Sequence, residues 1–217
     1  MDRNHYIAQL KEGMQKMDLP PLPLQVLESL TQFQEILVKW NKKINLTAHR
    51  KVEASLERNF LDSLILPRHL HGRNEIMDLG SGAGFPGLVV KIALPESDLT
   101  LVESDQRKCA FLATVIRELK LNKVEVLNTY LETKRVKELK WVDRFAAIVS
   151  RATIPIPEIL PLAASCLTVG GVFLGMVQEG PFQSKEGATP PLEFSEKIPY
   201  RLPFSGQGRK LLIFQKK

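Results

Sequence analysis

A glycine-rich segment between a strand pattern and a helix pattern constrains the fold of this 217-residue chain more than any other feature. The segment runs from Asp78 to Gly87 and reads DLGSGAGFPG. The segment 75–79 before it reads as a short strand, and the pattern after it is helical until Pro95. Glycines allow a tight turn and let a ligand approach the backbone without a Cβ in between. In an open α/β sheet, ligands bind beside such turns, at the carboxyl ends of the strands.

Strand and helix patterns alternate after this segment, which predicts crossover helices and a parallel sheet. The predicted strands are 75–79, 99–102, 124–127, 145–149 and 171–177, with weaker ones at 198–201 and 211–214. The last two have no helix between them, so we expect them to pair antiparallel at one edge. The stretch 178–196 is rich in Gly, Pro and charge and is predicted to be an exposed loop. The expected fold class is therefore α/β, with a doubly wound, mostly parallel, seven-stranded sheet.

The chain before residue 73 carries helical patterns and no β-rich run. Apolar side chains recur there at spacings of four and three and predict one buried helix face. These side chains are Val26, Leu30, Phe33, Leu37 and Trp40. A second helical pattern covers 52–66. We therefore expect an N-terminal helical extension, 1–72, attached to a sheet domain, 73–217.

One uncharged stretch, 159–178, is long enough to cross a bilayer. Pro161 and the pair Gly170-Gly171 interrupt it. The strands of a parallel sheet are themselves continuous apolar runs. We therefore predict a helix, a turn and a buried strand here, and no membrane span.

Charge and cysteine usage indicate an anionic partner and a reducing compartment. Lys and Arg number 30 against 24 Asp and Glu, a net charge of +6, which favours RNA, DNA or anionic lipid as partner. A small surplus of this kind also serves solubility. The two cysteines, Cys109 and Cys166, are far apart in the sequence, and we interpret them as reduced thiols. The first residues lack the apolar core of a secretory signal. These two features predict a cytoplasmic chain. The four histidines lack the spacing of zinc ligands, so we expect no metal.

The glycine segment leaves the choice between two kinds of nucleotide cofactor. Its part 82–87 matches the dinucleotide pattern G-x-G-x-x-G. However, Pro86 removes an N–H near the helix start, where a pyrophosphate needs one. Asp78, two residues before the first glycine, would repel a phosphate but suits a positively charged sulfonium. The residues therefore favour S-adenosylmethionine over a nicotinamide cofactor.

Acidic and apolar residues after the next two strands complete the predicted cofactor site. Glu103 ends the second strand, where an acid can accept both ribose hydroxyls of an adenosine. The alternative is a solvated acid at a strand end, and Asp105 is a less favoured substitute. Leu131, after the third strand, either packs on the adenine or belongs to a plain loop.

At this point the residues resemble the family of bacterial small-subunit ribosomal RNA methyltransferases RsmG, also called glucose-inhibited division protein B. The resemblance covers nearly the whole chain and rests on several short motifs. They are Lys39-Trp40-Asn41-Lys42, Asn45-Leu46-Thr47, Arg58, Leu61-Asp62-Ser63, 78–87, Glu103-Ser104, Arg107-Lys108, Phe111-Leu112, Ser150-Arg151-Ala152 and Arg209.

The resemblance implies a class I, Rossmann-like methyltransferase that methylates N7 of a guanine in the decoding-region loop of 16S rRNA. It makes 1–72 a substrate-binding region and 73–217 the methyltransferase domain. It also implies a monomer that acts on 16S rRNA or the small ribosomal subunit. With the motifs above, it predicts these cofactor-binding residues: Asp78, Gly80, Ser81, Gly82, Gly84, Phe85, Glu103, Ser104, Leu131, Glu132 and Arg151.

Three positions depart from the family pattern. The family usually has His where this chain has Asn59 and commonly Arg where it has Tyr130. It has a Lys-Gly after the fifth strand, where this chain reads Met176-Val177-Gln178. These positions are expected to face RNA or the methyl-transfer site. The identity of the target is therefore less constrained than the fold.

Methylation of guanine N7 needs positioning and no general base, because N7 carries a free lone pair. Arg151, which follows the fourth strand, is the predicted catalytic residue. It can orient the base through O6 or hold a phosphate, or it can pair structurally with Asp78 or Asp62. The predicted substrate-binding residues are Asn41, Asn45, Arg58 and Arg209. For Asn41 and Asn45, a role in capping a turn is equally open.

Two other classes of function remain open. One is a methyltransferase of the same fold that acts on another substrate. The other is a non-catalytic RNA-binding or ribosome-assembly factor that has kept the fold. Methylation at another base supports the first, and absence of S-adenosylmethionine binding supports the second.

Overall fold

The structure, a computed structural model, describes residues 2–49, 51–151, 155–180 and 192–217. Its N-terminal part is helical, as predicted. Helix α1 spans Arg3–Lys16, α2 spans Leu24–Asn41, and α3 spans Val52–Ser55 and continues into a π-helical turn, Leu56–Leu61. A short 3₁₀ turn, Pro67–His69, leads towards the first strand. Of the predicted apolar face of α2, Leu30, Phe33 and Leu37 are buried.

Seven strands form one sheet within the described residues. They are β1 (Glu75–Leu79), β2 (Asp98–Glu103), β3 (Val124–Asn128), β4 (Phe145–Arg151), β5 (Leu167–Gln178), β6 (Leu192–Arg201) and β7 (Gly208–Lys216). Their order is β3-β2-β1-β4-β5-β7-β6. Strands β1 to β5 are parallel, and β7 runs antiparallel between β5 and β6. The predicted α/β fold class and the predicted antiparallel pair are confirmed.

Helices cover both faces of the sheet, so the sheet is doubly wound. The crossover helices are α4 (Gly87–Ala93), α5 (Gln106–Glu118), α6 (Thr133–Glu138) and α7 (Ile156–Cys166). One buried cluster joins α4 and α5 and the N-terminal helices to one face, and a second joins α6 and α7 to the other. No helix in the described parts of the chain is long and apolar enough to cross a membrane.

The strand order reverses between β1 and β4, and this reversal fixes where a ligand can bind. From β1 the chain moves to β2 and β3 on one side, and from β4 to β5 on the other. The helices that leave β1 and β4 lie on opposite faces, so a crevice opens at the carboxyl ends of these two strands. The glycine-rich segment follows β1, and Arg151 ends β4.

Three details of the chain differ from the predictions. The predicted loop 178–196 overlaps two strands, because β5 extends through Gln178 and β6 begins at Leu192, while residues 181–191 lie outside the described part. Strand β6 is an edge strand, and most of its positions are exposed. Exposed edge positions carry charged residues, so the sequence of β6 has the composition of a loop. The turn predicted at Gly170-Gly171 lies inside β5 as an irregularity in its pairing with β4. Helix α6 was not predicted, since only Val136 in it is buried.

The N-terminal helices share their core with the sheet domain through an aromatic cluster. Phe85 of the glycine-rich segment stacks on Phe33 with ring centroids 5.0 Å apart and meets Phe60 edge-on at 5.1 Å. Phe33 and Phe60 also contact each other at 5.2 Å. Such aromatic pairs add about 0.5–1.5 kcal/mol each beyond their buried area. The helical extension is thereby fixed directly against the turn that follows β1.

Candidate active site

The glycine-rich segment folds back onto the end of β2. The backbone N–H groups of Gly80 and Ser81 both donate to the carbonyl oxygen of Val102, each at 3.0 Å. Gly80 and Gly84 have φ values of +78° and +82°, which L side chains adopt only with strain. The segment therefore needs glycine at these positions to turn as tightly as it does.

Glu103, the last residue of β2, is fixed by two backbone amides. Its Oε2 accepts a hydrogen bond from Gly82 N at 2.8 Å, and its Oε1 accepts one from Asp105 N at 2.8 Å. The residue is 7% exposed. Each carboxylate oxygen can accept more than one hydrogen bond. The carboxylate is therefore held in place and keeps capacity for two neighbouring hydroxyl donors.

A cleft of about 630 Å³ opens beside this carboxylate, at the ends of β1, β2 and β3. We call it the rim cleft. Six predicted cofactor residues line it: Gly80, Gly82, Glu103, Ser104, Leu131 and Glu132. Leu131 and Ile159 are buried apolar side chains of its wall. The cleft thus combines an apolar slot with one fixed acid, and its volume lies in the range of small-molecule sites.

Asp78 lies beneath the glycine-rich segment and lines neither this cleft nor the next one described. It is fully buried, and its Oδ2 accepts a hydrogen bond from Gly87 N at 2.8 Å. Burial raises the pKa of this carboxyl to about 7, although the Gly87 N–H opposes the shift. A Cβ on Gly87 would lie 2.5 Å from Asp78 Oδ2. Asp78 and Gly87 together fasten the start of α4 to β1. Gly84, also buried, packs its backbone against Leu88.

A second cleft of about 630 Å³ lies between the glycine-rich segment and the N-terminal helical region. We call it the arginine cleft, because Arg58, Arg151 and Arg209 line it together with Lys108. Among its lining residues, Asp62 is the acid that faces these four cations. Ser81 and Phe85 also lie on this side. The cleft therefore carries a positive field that favours an anionic ligand.

Arg151 occupies the centre of the arginine cleft and is held from several sides. Its Nη1 donates to the backbone oxygen of Arg58 at 2.6 Å, and its Nη2 donates to Asn59 Oδ1 at 3.0 Å. Its guanidinium carbon lies 5.3 Å from the centroid of Phe85. The side chain stays 26% exposed. Arginine has five N–H donors, so these contacts leave others for a ligand.

Asp62 connects Arg151 with Arg209 at the floor of the cleft. Its Oδ1 accepts a hydrogen bond from Tyr200 Oη at 2.7 Å, and its Oδ2 lies 3.6 Å from Arg209 Nε and 4.0 Å from Arg151 Nη1. Burial raises the pKa of Asp62, while Arg151 and Tyr200 act in the opposite direction. Arg209 Nη1 is buried and has no hydrogen-bond partner among the described residues. Arg209 thus carries one buried donor that the described residues leave unpaired.

Asn41 and Asn45 belong to a smaller pocket of about 250 Å³ between α2, the loop 42–49 and α3. We call this pocket the antechamber; it shares His49 with the arginine cleft. Asn41 Oδ1 accepts hydrogen bonds from the backbone of Leu46 at 2.8 Å and Thr47 at 3.2 Å. This contact holds the loop, as the turn-capping alternative requires. Asn45 is exposed at the wall of the antechamber.

Several residues of the site had not been singled out as site residues from the sequence. Lys108 lines both large clefts, and its place in the first turn of α5 after Glu103 was the available signal. His49 lines two pockets, and burial together with Arg58 and Arg151 lowers its pKa. Tyr200 gave no signal, because its partner Asp62 lies 138 positions away. The described residues contain no cluster of His, Cys, Asp and Glu suited to a metal ion.

Comparison with known sequences gives one consistent result. The family described as rRNA small subunit methyltransferase G matches residues 26–213. The chain is 34% identical to the ribosomal RNA small subunit methyltransferase G of Myxococcus xanthus, over 100% of both chains. It is also 34% identical to the protein of that name from Halorhodospira halophila, over 98% of this chain and 96% of the relative.

Comparison with solved structures supports the fold. TrmN from Thermus thermophilus superposes with a TM-score of 0.59 at 13% identity, over 75% of this chain and 53% of that protein. TehB from Haemophilus influenzae superposes with a TM-score of 0.52 at 17% identity, over 82% of this chain and 66% of that protein. At such low identity, the likeness concerns the fold alone.

Proposed function

The chain belongs to the rRNA small subunit methyltransferase G family, and from this membership we propose that it methylates N7 of one guanine in the decoding-region loop of 16S rRNA. The methyl donor of this enzyme family is S-adenosylmethionine. The observation that carries the proposal is the pair of clefts that meet at the glycine-rich segment. Gly80, Gly82 and Lys108 line both clefts, so a group bound in one lies beside a group bound in the other.

The residues of the rim cleft fit S-adenosylmethionine. Glu103 is held with capacity for the two ribose hydroxyls, and Leu131 and Ile159 offer an apolar wall to the adenine. The backbone of Gly80 and Gly82 allows the methionine part to approach closely. Ser104 and Glu132 line the outer rim. We assign these residues to direct cofactor contact.

Four further predicted cofactor residues do not line the rim cleft but support the segment that forms it. Asp78, Ser81 and Gly84 are buried and hold the segment in its turn. Phe85 packs between the N-terminal helices and the guanidinium of Arg151. We propose that these residues shape the path between the clefts, and that Arg151 borders the methyl group from the side of the arginine cleft.

The arginine cleft is the proposed binding site for the target nucleotide. Its cations suit phosphate oxygens and the O6 atom of guanine. The antechamber next to it is lined by Lys42, Lys43 and Asn45, and no acid lines it among the described residues. We propose that the RNA backbone runs from the arginine cleft across the antechamber, with Arg58 and Arg209 contacting phosphate or base. Binding of this kind weakens as salt rises.

The chemistry asks this chain to position groups and to exclude water. S-adenosylmethionine supplies, when bound, an electrophilic methyl group. Guanine N7 carries a free lone pair, so no side chain would have to remove a proton. Arg151 would orient the base through its remaining donors and leave N7 free, because this transfer depends on positioning. Among the described residues no Cys lines the arginine cleft, and His49, which does line it, has no proton to remove in this mechanism.

We also propose the organisation expected from the sequence. Residues 1–72 form the substrate-binding region, because residues 46–49 and Arg58, Asn59 and Asp62 line the arginine cleft. Residues 73–217 carry the cofactor. The chain acts as a monomer on 16S rRNA or the small subunit. Since its proposed substrate is ribosomal RNA of a bacterium, the proposed compartment is the cytoplasm.

The test combines cofactor binding with methyl transfer. Titration calorimetry is expected to detect S-adenosylmethionine binding, and a labelled methyl group is expected to reach undermodified small-subunit RNA. Glu103→Ala should weaken cofactor binding about 10–100-fold, since it removes a charge-assisted hydrogen-bonding group. Glu125→Ala, an exposed acid on the neighbouring strand, is the matched control. Absence of cofactor binding favours an RNA-binding factor, and cofactor binding without transfer to this RNA favours another substrate.

A further inference from the structure

Three buried polar side chains connect Arg151 to helix α2. Arg151 Nη2 donates to Asn59 Oδ1 at 3.0 Å, Asn59 Nδ2 donates to Ser55 Oγ at 3.1 Å, and Ser55 Oγ donates to Gln34 Oε1 at 2.8 Å. Asn59, Ser55 and Gln34 are each 1% exposed. The three residues come from the π-helical turn, α3 and α2. We call this row the relay.

The chemistry of arginine fixes the direction of the whole relay. A guanidinium donates hydrogen bonds and cannot accept them, so the oxygen of Asn59 must face Arg151. The amide nitrogen of Asn59 must then face Ser55, whose hydroxyl accepts from it and donates onward to Gln34. Every bond therefore points away from the positive charge. Bonds aligned in this way polarise and strengthen one another in a buried environment.

The relay constrains the orientation of Arg151 at the arginine cleft. The Asn59 bond and the Arg58 carbonyl bond each fix one terminal nitrogen, and the ring of Phe85 lies against the guanidinium. A planar group with two fixed nitrogens cannot rotate freely, so its remaining N–H groups keep one direction. Buried polar groups without partners are costly, so this row maintains its geometry only while all its members are present.

We propose that Gln34, Ser55 and Asn59 are positioning residues for methyl transfer, which act by fixing the guanidinium of Arg151. The inference rests on the proposed role of Arg151 at the methyl-transfer site. Asn59 sets the plane of the guanidinium directly. Ser55 holds the amide group of Asn59 in its orientation, and Gln34 holds the hydroxyl of Ser55. Both residues therefore act on Arg151 only through Asn59.

The first test measures kcat and KM separately for methylation of undermodified small-subunit RNA. Asn59→Leu removes the polar contacts at similar volume and should lower kcat about 100-fold, since small misplacements of a reacting geometry have effects of this size. Ser55→Ala should lower kcat about 10-fold, because Asn59 keeps its contact with Arg151 but loses its own support. In both variants the KM for RNA should change little.

Two matched controls separate positioning from stability. Ser63→Ala removes a buried serine of the same helical segment; among the described residues its hydroxyl bonds the backbone oxygen of Asn59, at 2.6 Å. Thr31→Val removes a buried hydroxyl of α2 that bonds the backbone of Leu27, at 2.7 Å. Neither control leaves a buried side chain unpaired, so both should lower the melting temperature less than Ser55→Ala does and leave kcat within about twofold of the wild type.

The second test gives the relay a pH signature. An imidazole can also accept with one nitrogen and donate with the other, but only while it is neutral. Asn59→His should therefore restore activity relative to Asn59→Leu above about pH 7 and lose it on acidification, as the ring gains a proton and repels Arg151. The charged or titratable groups around this position in the described residues are the following: Arg58, Lys108, Arg151, Arg209, Asp62, Asp78, Tyr200 and His49. The wild type contains all of them, so its profile over the same range isolates the new group.

The outcomes separate this inference from the proposed function. An inactive Arg151→Met, together with low kcat in Asn59→Leu and Ser55→Ala and the acid-sensitive profile of Asn59→His, supports the relay. An inactive Arg151→Met with Asn59→Leu and Ser55→Ala at wild-type kcat overturns the relay and leaves the function intact. A fully active Arg151→Met overturns the role of Arg151 and the relay with it. If Asn59→Leu does not fold, Ser55→Ala and Asn59→His decide between these outcomes.

Discussion

The buried carboxyl of Asp78 should make the stability of the protein fall as pH rises, and Asp78→Asn should remove this dependence. The pKa of the group in the folded protein is about 7, against 3.8 for an ordinary Asp. The unfolded chain thus releases this proton near pH 4 and the folded chain near pH 7. Between these values the folded state binds more protons, so stability decreases as pH increases and is constant above the folded pKa.

The size of the effect follows from the same two values. A difference of one pKa unit corresponds to about 1.4 kcal/mol, so the full shift corresponds to about 4 kcal/mol. Between pH 5 and pH 8, the part that can be measured is about 3 kcal/mol. Asn keeps an oxygen to accept the N–H of Gly87 but carries no charge at any pH. The free energy of unfolding of Asp78→Asn, relative to the wild type, should therefore rise by about 3 kcal/mol over this range.

Urea unfolding at several pH values, followed by the fluorescence of Trp40 and Trp141, measures this difference. Asp98→Asn, an exposed residue at the start of β2, controls for the removal of a carboxylate as such. Subtracting each variant from the wild type cancels the contribution of all other titrating groups. Curves for the wild type and Asp78→Asn that stay parallel from pH 5 to pH 8 would refute the reasoning.

Two further predictions concern the turn and the RNA site. Gly87→Ala should lower the free energy of unfolding by about 1–3 kcal/mol, which is typical of overpacking. The new Cβ would lie 2.5 Å from Asp78 Oδ2 and 2.8 Å from Leu101. Thermal unfolding measures the effect, and an unchanged melting temperature would contradict the prediction. Arg209→Met should weaken RNA binding and reduce the slope of log affinity against log salt by about one. Filter binding at several salt concentrations tests this, and an unchanged slope would show that Arg209 contacts no phosphate.

The central strands could be predicted from the sequence because they are buried on both faces. Strands β1, β2 and β4 are short apolar runs between helical patterns, and every described position in them except the ends and Ala146 is buried. Edge strand β6 and helix α6 expose most of their residues, so hydrophobic periodicity has little to detect there. Local patterns thus describe the middle of the sheet well and its periphery poorly.

The same contrast holds for the site. The glycines and Glu103 occupy positions that a strand–turn–helix unit dictates locally, so the sequence was sufficient to place them. Asp62 was named from the sequence as a possible partner of Arg151, and it lies 4.0 Å from Nη1. The contact with Asn59 was not predictable, because Asn59 lies 92 positions before Arg151 and no local pattern relates the two. Asp78 was predicted at the ligand, but its place in β1 turns its side chain under the turn, where Gly87 binds it. Side-chain direction at a strand end depends on the packing of the following helix.

The most direct test of the account maps the methylated atom. Undermodified 16S rRNA, in small subunits from cells without this gene, is incubated with the purified protein and S-adenosylmethionine. It is then treated with borohydride and aniline, which cleave at 7-methylguanosine, and read by primer extension. The account predicts one new stop, at a guanine of the decoding-region loop, that is absent without cofactor. Label incorporated without any new stop, or a stop only outside that loop, would contradict it.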